Sequence, residues 1–398
     1  MLRILPARPT RGGRALRAAA LLLAVLAATA LPAVAEANTV SLNEGVLGYS
    51  HTTPQPSSVS TKVINGAVHI ESSDGIQRFS SPCQRVNDVE VSCPGAGVQR
   101  IQAFLGVGSD SFTSRTALDT RVFGSSGNDQ YVGGAHGLRN RVDFSGGGGI
   151  DSVNYILSSG GVAVSKDETA NDGRFAFDLD NVREDVEVLG GSQHGDTLTG
   201  SDTSAVERFA GALGNDTMTG NGGPDVFETG TSADGADRIT GGPGIDRITF
   251  TQRTRPVNVT LNFGGGDDGE AGEGDEITGA NEVIIGGQAG DTISAPAGST
   301  AAHSFFGGGG VDTLEGSNGP DQLTGGAGGD ILLGNDGDDR IVANDASRTP
   351  STAAWVPTPP SWTIATVSAA ARTAQWWACC ASPPRRSRSR PAFPCGCG

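Results

Sequence analysis

The chain has 398 residues, room for two or three ordinary domains, yet only 36% of it is hydrophobic and 61 residues are glycine, which argues against a thick conventional core. The formal charge of −16 understates its acidity. Arg3, Arg8, Arg11, Arg14 and Arg17 open the chain and Arg348, Arg372, Arg385, Arg386, Arg388 and Arg390 close it, which leaves 17 of the 28 Lys and Arg against all 44 acids between residues 36 and 345. Such a charge density opposes compaction without counter-ions and argues against nucleic acid or an anionic membrane as partner.

Residues 1–37 read as a secretory signal peptide: an Arg-rich start, an apolar stretch from Ala18 to Leu31, and small-residue cleavage sites at Ala33-Val34-Ala35 or Ala35-Glu36-Ala37. The apolar stretch is shorter than the roughly 20 residues that span a bilayer, and no later segment reaches that length. A secreted or cell-surface location is therefore expected, with no membrane span.

Residues 38–105 carry short strand-like runs, Thr39-Val40-Ser41-Leu42, Lys62-Val63-Ile64, Ala67-Val68-His69-Ile70 and Val89-Glu90-Val91-Ser92. Asn65-Gly66 between two of them signals a hairpin. This predicts a small β region acting as an N-terminal cap. Cys83 and Cys93 bracket a proline-flanked loop and, in an exported chain, most simply form a disulfide.

From residue 106 to 345 a nine-residue rhythm takes over. It firms up at GSSGNDQYV, with Gly124 first and Asp129 sixth, and continues through GGGGIDSVN at 146, GALGNDTMT at 211, GNGGPDVFE at 220, GGPGIDRIT at 241 and GGQAGDTIS at 286. Units around Asp196 and Asp237 are degenerate, with Ser192 and Ser232 in place of glycines, so ion binding is not expected there. Residues 146–240 align with 241–335 at an offset of 95 to 96, so the array is a duplicated block. Each block holds a non-repeat insertion, and the second is acidic over 264–276, with Asp267, Asp268, Glu270, Glu273, Asp275 and Glu276. Acidic glycine-rich runs are usually exposed, so this one is expected to be a solvated excursion at the coil's edge.

The run from Gly307 to Val342 is the most regular: GGGGVDTLE, GSNGPDQLT, GGAGGDILL and GNDGDDRIV, each with Gly first and fourth, Asp sixth and Leu or Ile eighth. Glycine accepts the positive φ angles of a tight loop and lets backbone carbonyls converge. The three remaining residues form a short strand whose alternation turns Leu314, Leu323, Leu332 and Ile341 inward. A flexible linker would have no reason to keep an apolar eighth position. Stacking such units brings aspartates into files that repel unless a cation lies between them. Calcium suits that role, since it takes six to eight oxygen ligands at about 2.3–2.6 Å and accepts carbonyls beside carboxylates.

These units resemble the RTX, or haemolysin-type, calcium-binding repeats. The resemblance implies an all-β fold, a parallel β-roll or β-solenoid of nonapeptide repeats with the small β region at its N-terminus. It also implies calcium as cofactor, bound between turns two units apart. Asp312 would then share an ion with Asp330, and Asp321 with Asp339. The wider ligand set implied is Asp129, Asp151, Asp216, Asp225, Asp246, Asp291, Asp312, Asp321, Asp330 and Asp339, with Gly307, Gly310, Gly316, Gly325 and Gly328 in the loops.

After Asp345 the pattern stops. Residues 346–398 contain no acid, all four Trp and four of the six Cys, and read as an atypical, disordered tail. Cys379, Cys380, Cys395 and Cys397 lack the paired spacing of a zinc site.

Little points to catalysis. The five histidines are scattered, and neither an H-E-x-x-H helix motif nor a G-x-S-x-G elbow is present. RTX arrays often accompany a protease, lipase or toxin domain, but the non-repeat region 38–105 is short for one. The leader also departs from family members that carry a C-terminal secretion signal. The expected function is a secreted, non-enzymatic calcium-binding β-roll that folds on binding calcium, with a structural or adhesive role and an unidentified cell-surface or matrix partner. The alternative is an extracellular polysaccharide-acting β-helix enzyme supported by calcium, for which two Lys in the whole chain and few outward aromatics supply a poor groove.

Overall fold

In the computed structural model, which describes residues 38–134, 141–175, 177–261, 266–279 and 282–343, the chain winds into a β-roll with two sheet faces. The expected leader and the tail after residue 346 lie outside the described residues. No α-helix occurs among the described residues, whose one helical element is a 3-10 turn at Gly95–Gly97.

The repeat itself sets the coil. Phe305 aligns with Leu323 and Leu323 with Ile341, steps of 18 residues or two nonapeptides, while on the other face Ile293, Leu314 and Leu332 align. Each coil thus contributes one short strand to each face. Within a strand such as Thr313–Glu315 only the central residue points inward, and Leu314 is fully buried. One face is a continuous 15-stranded sheet; the other is broken into sheets of seven, six and five strands. Between them runs a column of one large apolar side chain per strand: Phe112, Tyr131, Val153, Leu189, Phe209, Phe227, Ile248, Ile284, Phe305 and Leu323 line the continuous face. The Phe209 and Phe227 rings stack at 4.9 Å, close to the ~4.8 Å spacing between neighbouring strands.

At the N-terminal end Ser58–Ile64 and Ala67–Ser72 form the hairpin turned by Asn65 and Gly66, both at positive φ. Glu90–Pro94 and Gln84–Arg85 extend that sheet antiparallel, and Cys83 and Cys93 are disulfide-bonded. These strands cover the edge that the first coil would otherwise expose. The parallel stacking starts earlier than residue 106. Val46–Ser50 pairs in parallel with Arg100–Phe104, and Ser58–Ile64 with Ser111–Arg115, so residues 38–105 supply the first coil as well as the cap. That coil has no Gly-Asp unit, which is why it is invisible as a repeat.

The insertions also differ from expectation. The acidic one is not a solvated excursion: Asp268, Glu270, Glu273 and Asp275 are all buried. Gly269–Glu270 pairs antiparallel with Val257–Thr260, and Glu276–Thr278 closes the six-stranded sheet. Asp268 bridges the break between sheets by accepting the Thr260 N–H at 2.6 Å and the Ile277 N–H at 2.8 Å. Asp172 does the same in the first block with Ser165 and Val182, at 2.7 and 2.8 Å. The negative charge is offset by Arg253, fully buried, whose guanidinium meets Glu273 at 2.8 Å, Asp234 at 3.2 Å and Glu270 at 3.4 Å. Composition pointed to solvent here because the compensating arginine lies outside the acidic run.

At the C-terminal end Arg340–Val342 pairs with Gln322–Ala327 on one side, and Ile341 is only partly buried where Leu323 is fully so. Amide exchange at Ile341 is expected to be at least about tenfold faster than at Leu323. Slower exchange at Ile341 in a residue-resolved experiment would contradict this picture of the last coil.

Candidate metal centre

The loops joining the faces stack into two files, one along each edge of the roll. In each, a carboxylate receives the backbone N–H of the ladder residue one coil earlier. Along one edge Asp110 donates to Asp129, Asp129 to Asp151 and Asp151 to Glu187, at 2.9, 2.7 and 2.7 Å. That file resumes with Glu207 to Asp225, Asp225 to Asp246, His303 to Asp321 and Asp321 to Asp339. Along the other edge run Asp196 to Asp216, Asp216 to Asp237 and Asp237 to Asp275, then Asp291 to Asp312 and Asp312 to Asp330, at 2.8 to 3.0 Å. The structure therefore places Asp312 and Asp330 as neighbours in one file and Asp321 and Asp339 as neighbours in the other.

The first glycine of each unit makes room for this arrangement. A Cβ on Gly307 would stand 2.3 Å from Asp312 Oδ2 and 2.5 Å from the Gly325 carbonyl oxygen; on Gly316, 2.5 Å from Asp321 Oδ2 and 3.0 Å from the Gly334 oxygen. Gly325 is held in the same way against Asp330, at 2.2 Å. Carboxylate and next-coil carbonyl thus converge where only glycine leaves space. The fourth glycine packs coil on coil: Gly310 has φ +116° against Ala289 and Gly290, and Gly328 lies over the Gly310 carbonyl.

Glu207 apart, one oxygen of each ladder carboxylate is spent on the N–H; the fate of the other separates the seats. Oδ2 of Asp129, Asp151, Asp216, Asp225, Asp246 and Asp312, and Oε2 of Glu282, are buried without a hydrogen-bond partner. A buried, unpaired ionised oxygen is costly, and burial accordingly raises these groups: Asp129, Asp151 and Asp312 to about 6, Asp216 and Asp225 to about 7, and Glu282 to about 8. Asp246 is also raised by burial, and Asp339 reaches about 6. At other seats the protein fills the gap itself. Oδ2 accepts the N–H of Ser192 at Asp196, of Gly287 at Asp291 and of Ser317 at Asp321, at 2.5 to 2.6 Å.

Orphaned carboxylate oxygens facing glycine carbonyls fit a hard, oxygen-seeking cation. Among the described residues no three or more His, Cys, Asp or Glu side chains converge on one point, so backbone carbonyls would have to complete any coordination sphere. Asp110, Asp275, Glu187, Glu207 and Glu282 hold ladder positions outside the expected ligand set, as do Asp196 and Asp237 of the degenerate units. The insertions break the nine-residue register before Glu187, Asp275 and Glu282, and Glu207 stands seven residues after its glycine, Gly200, instead of five.

A family model described as the RTX calcium-binding nonapeptide repeat, in four copies, matches residues 201–234, 231–249 and 306–341. These segments contain Asp216, Asp225, Asp246, Asp312, Asp321, Asp330 and Asp339. No curated protein matches the chain. Among the described residues no helix is long and apolar enough to cross a membrane. The repeats, their parallel coils and the family match agree: over residues 201–249 and 306–341 the roll is built of RTX-type calcium-binding repeats.

Proposed function

We propose that the chain is an exported β-roll that holds calcium between successive coils along both files, folds as the ion binds, and serves a structural or adhesive role outside the cytoplasm without catalysing a reaction. The observation that carries this reading is the set of buried, partnerless carboxylate oxygens at Asp129, Asp151, Asp216, Asp225, Asp246 and Asp312. Calcium would supply the positive charge these seats lack. Asp291, Asp321, Asp330 and Asp339 continue the same files, and the carbonyls of Gly307, Gly310 and Gly325 face the following or preceding loop. Gly316 and Gly328 clear the space beside them. Because a stacked seat does not exist in the unfolded chain, binding free energy is folding free energy. Extracellular calcium modules bind at about 10⁻⁴–10⁻³ M, weak enough to stay empty inside a cell and fill outside it.

The seats are not equivalent, and this gives a test. Asp312→Asn removes charge from a seat with a free oxygen and is expected to raise the calcium midpoint of folding by about tenfold. Asp196→Asn alters a seat whose oxygens already accept Ser192 N–H and Oγ, and should shift it by less than about threefold. Circular dichroism titrated with calcium reads both. A β spectrum indifferent to chelator, in the parent chain, would sink the proposal.

A further inference from the structure

One ladder seat carries its own cation. Glu207 accepts the Ser201 N–H at 2.9 Å and the Ser201 hydroxyl at 2.7 Å, and its Oε1 lies 2.5 Å from Lys166 Nζ. Both charged side chains are buried, at 2% and 0% exposure. Lys166 follows Val162–Ser165, and its N–H donates to Thr199, so it lies one coil below the loop that opens at Gly200. Lys62, the other lysine, is on the N-terminal hairpin.

The duplicated block offers the same seat with different residues. Leu261 N–H donates to Ser294 as Lys166 does to Thr199, and His303 N–H donates to Asp321 as Glu207 does to Asp225. Lys166 thus corresponds to Leu261, Glu207 to His303 and Gly200 to Ala295. The three differences go together. Where Glu207 is present, a Cβ on Gly200 would meet its Oε2 at 2.2 Å as well as the Gly220 carbonyl oxygen at 2.4 Å, so glycine is required. Where histidine replaces the carboxylate, alanine is accommodated, and the buried lysine becomes a buried leucine, 1% exposed. His303 is itself buried, its ring stacked on Phe305 at 5.6 Å.

We infer that this seat excludes calcium in both blocks: Lys166 is a tethered ammonium standing where an ion would otherwise balance Glu207, and the Leu261–His303 pair is its uncharged equivalent. A divalent ion at Glu207 would sit against the ammonium with no free carboxylate oxygen to hold it. The coil beside each insertion therefore keeps its charge balance when calcium is withdrawn. The inference rests on calcium occupying the other seats, as proposed above.

The test exchanges the pairs between blocks. Lys166→Leu alone strands a buried carboxylate and should lower the folding equilibrium constant by about a hundredfold or more. Adding Glu207→His should restore most of that loss, and the double variant should bind as many calcium ions per chain, by equilibrium dialysis, as the parent. The reverse transplant, Leu261→Lys with His303→Glu and Ala295→Gly, should likewise fold with an unchanged count. One ion fewer in the first variant, or one more in the second, overturns the inference, as does failure of both to fold. If the parent chain binds no calcium, the broader reading falls instead, and the coupling between Lys166 and Glu207 is still measured in the unfolding midpoints.

Discussion

Withdrawing calcium at pH 8 is expected to unfold the stacked coils, and acidifying the calcium-free protein to pH 5 is expected to bring much of the fold back. The sign follows from burial. Asp129, Asp151 and Asp312 rise from 3.8 to about 6, Asp216 and Asp225 to about 7, and Glu282 from 4.5 to about 8, each driven first by desolvation. A carboxyl that holds its proton more tightly folded than unfolded stabilises the fold fully below its unfolded value. That contribution is lost as pH climbs through the folded value, here between about 6 and 8. Raising one carboxyl from 3.8 to about 6 corresponds to roughly 3 kcal/mol against the ionised fold. Set against the net stability of about 5–15 kcal/mol typical of a domain, even a few such seats weigh heavily. With calcium the ionised forms are the ones held, so the slope reverses and acid weakens the protein by displacing the ion. Thermal midpoints by circular dichroism, with calcium and with chelator, should lie far apart at pH 8 and close together at pH 5. A chelated protein as stable at pH 8 as at pH 5 would refute this account of the ladder.

The fold was largely legible because one nonapeptide encodes both a loop and a strand. Leu314, Leu323 and Leu332 are inward and buried as their eighth position requires, and the spacing of Asp312 and Asp330 places them on adjacent coils of one file. What was not legible depends on contacts between residues far apart in the chain. Glu207 escapes the repeat count because its seat is a loop position two residues out of register, and it is neutralised by Lys166 forty-one positions away. The acidic insertion reads as solvated because Arg253, its counter-charge, is contributed from outside the run. The first coil escapes detection since Val46–Ser50 and Ser58–Ile64 are joined without a glycine-aspartate unit. In each case local composition set the expectation and a long-range partner decided the outcome. Asp321 shows the limit inside the motif itself: it has the right spacing, yet Ser317 in place of a second glycine adds a hydroxyl 3.4 Å from Oδ1, while its N–H occupies Oδ2.

Gly328→Ala and Gly329→Ala, adjacent substitutions in one loop, are expected to differ by at least about 3 kcal/mol in folding free energy. A Cβ on Gly328 would stand 1.4 Å from the Gly310 carbonyl oxygen and 2.5 Å from its carbon, with φ at +154°. The obstructing atoms are backbone of the coil beneath, so they cannot swing aside as a side chain would. Relief requires lifting one coil from the next, which would pull Asp330 away from the Asp312 N–H, now at 3.0 Å, and open the seat they share. At Gly329 a Cβ meets nothing within 4 Å, so alanine there should change stability by no more than about 0.5 kcal/mol, and could add a little through a stiffer unfolded chain. Calcium should not rescue Gly328→Ala, because the clash deforms the seat before any ion can enter it. The parent chain and both variants, unfolded by urea at saturating calcium, provide the comparison. Equal midpoints for the two variants would mean that the fourth glycine is not what sets the distance between coils, and that the carbonyl stack at Gly310 yields more readily than close-packed backbone should.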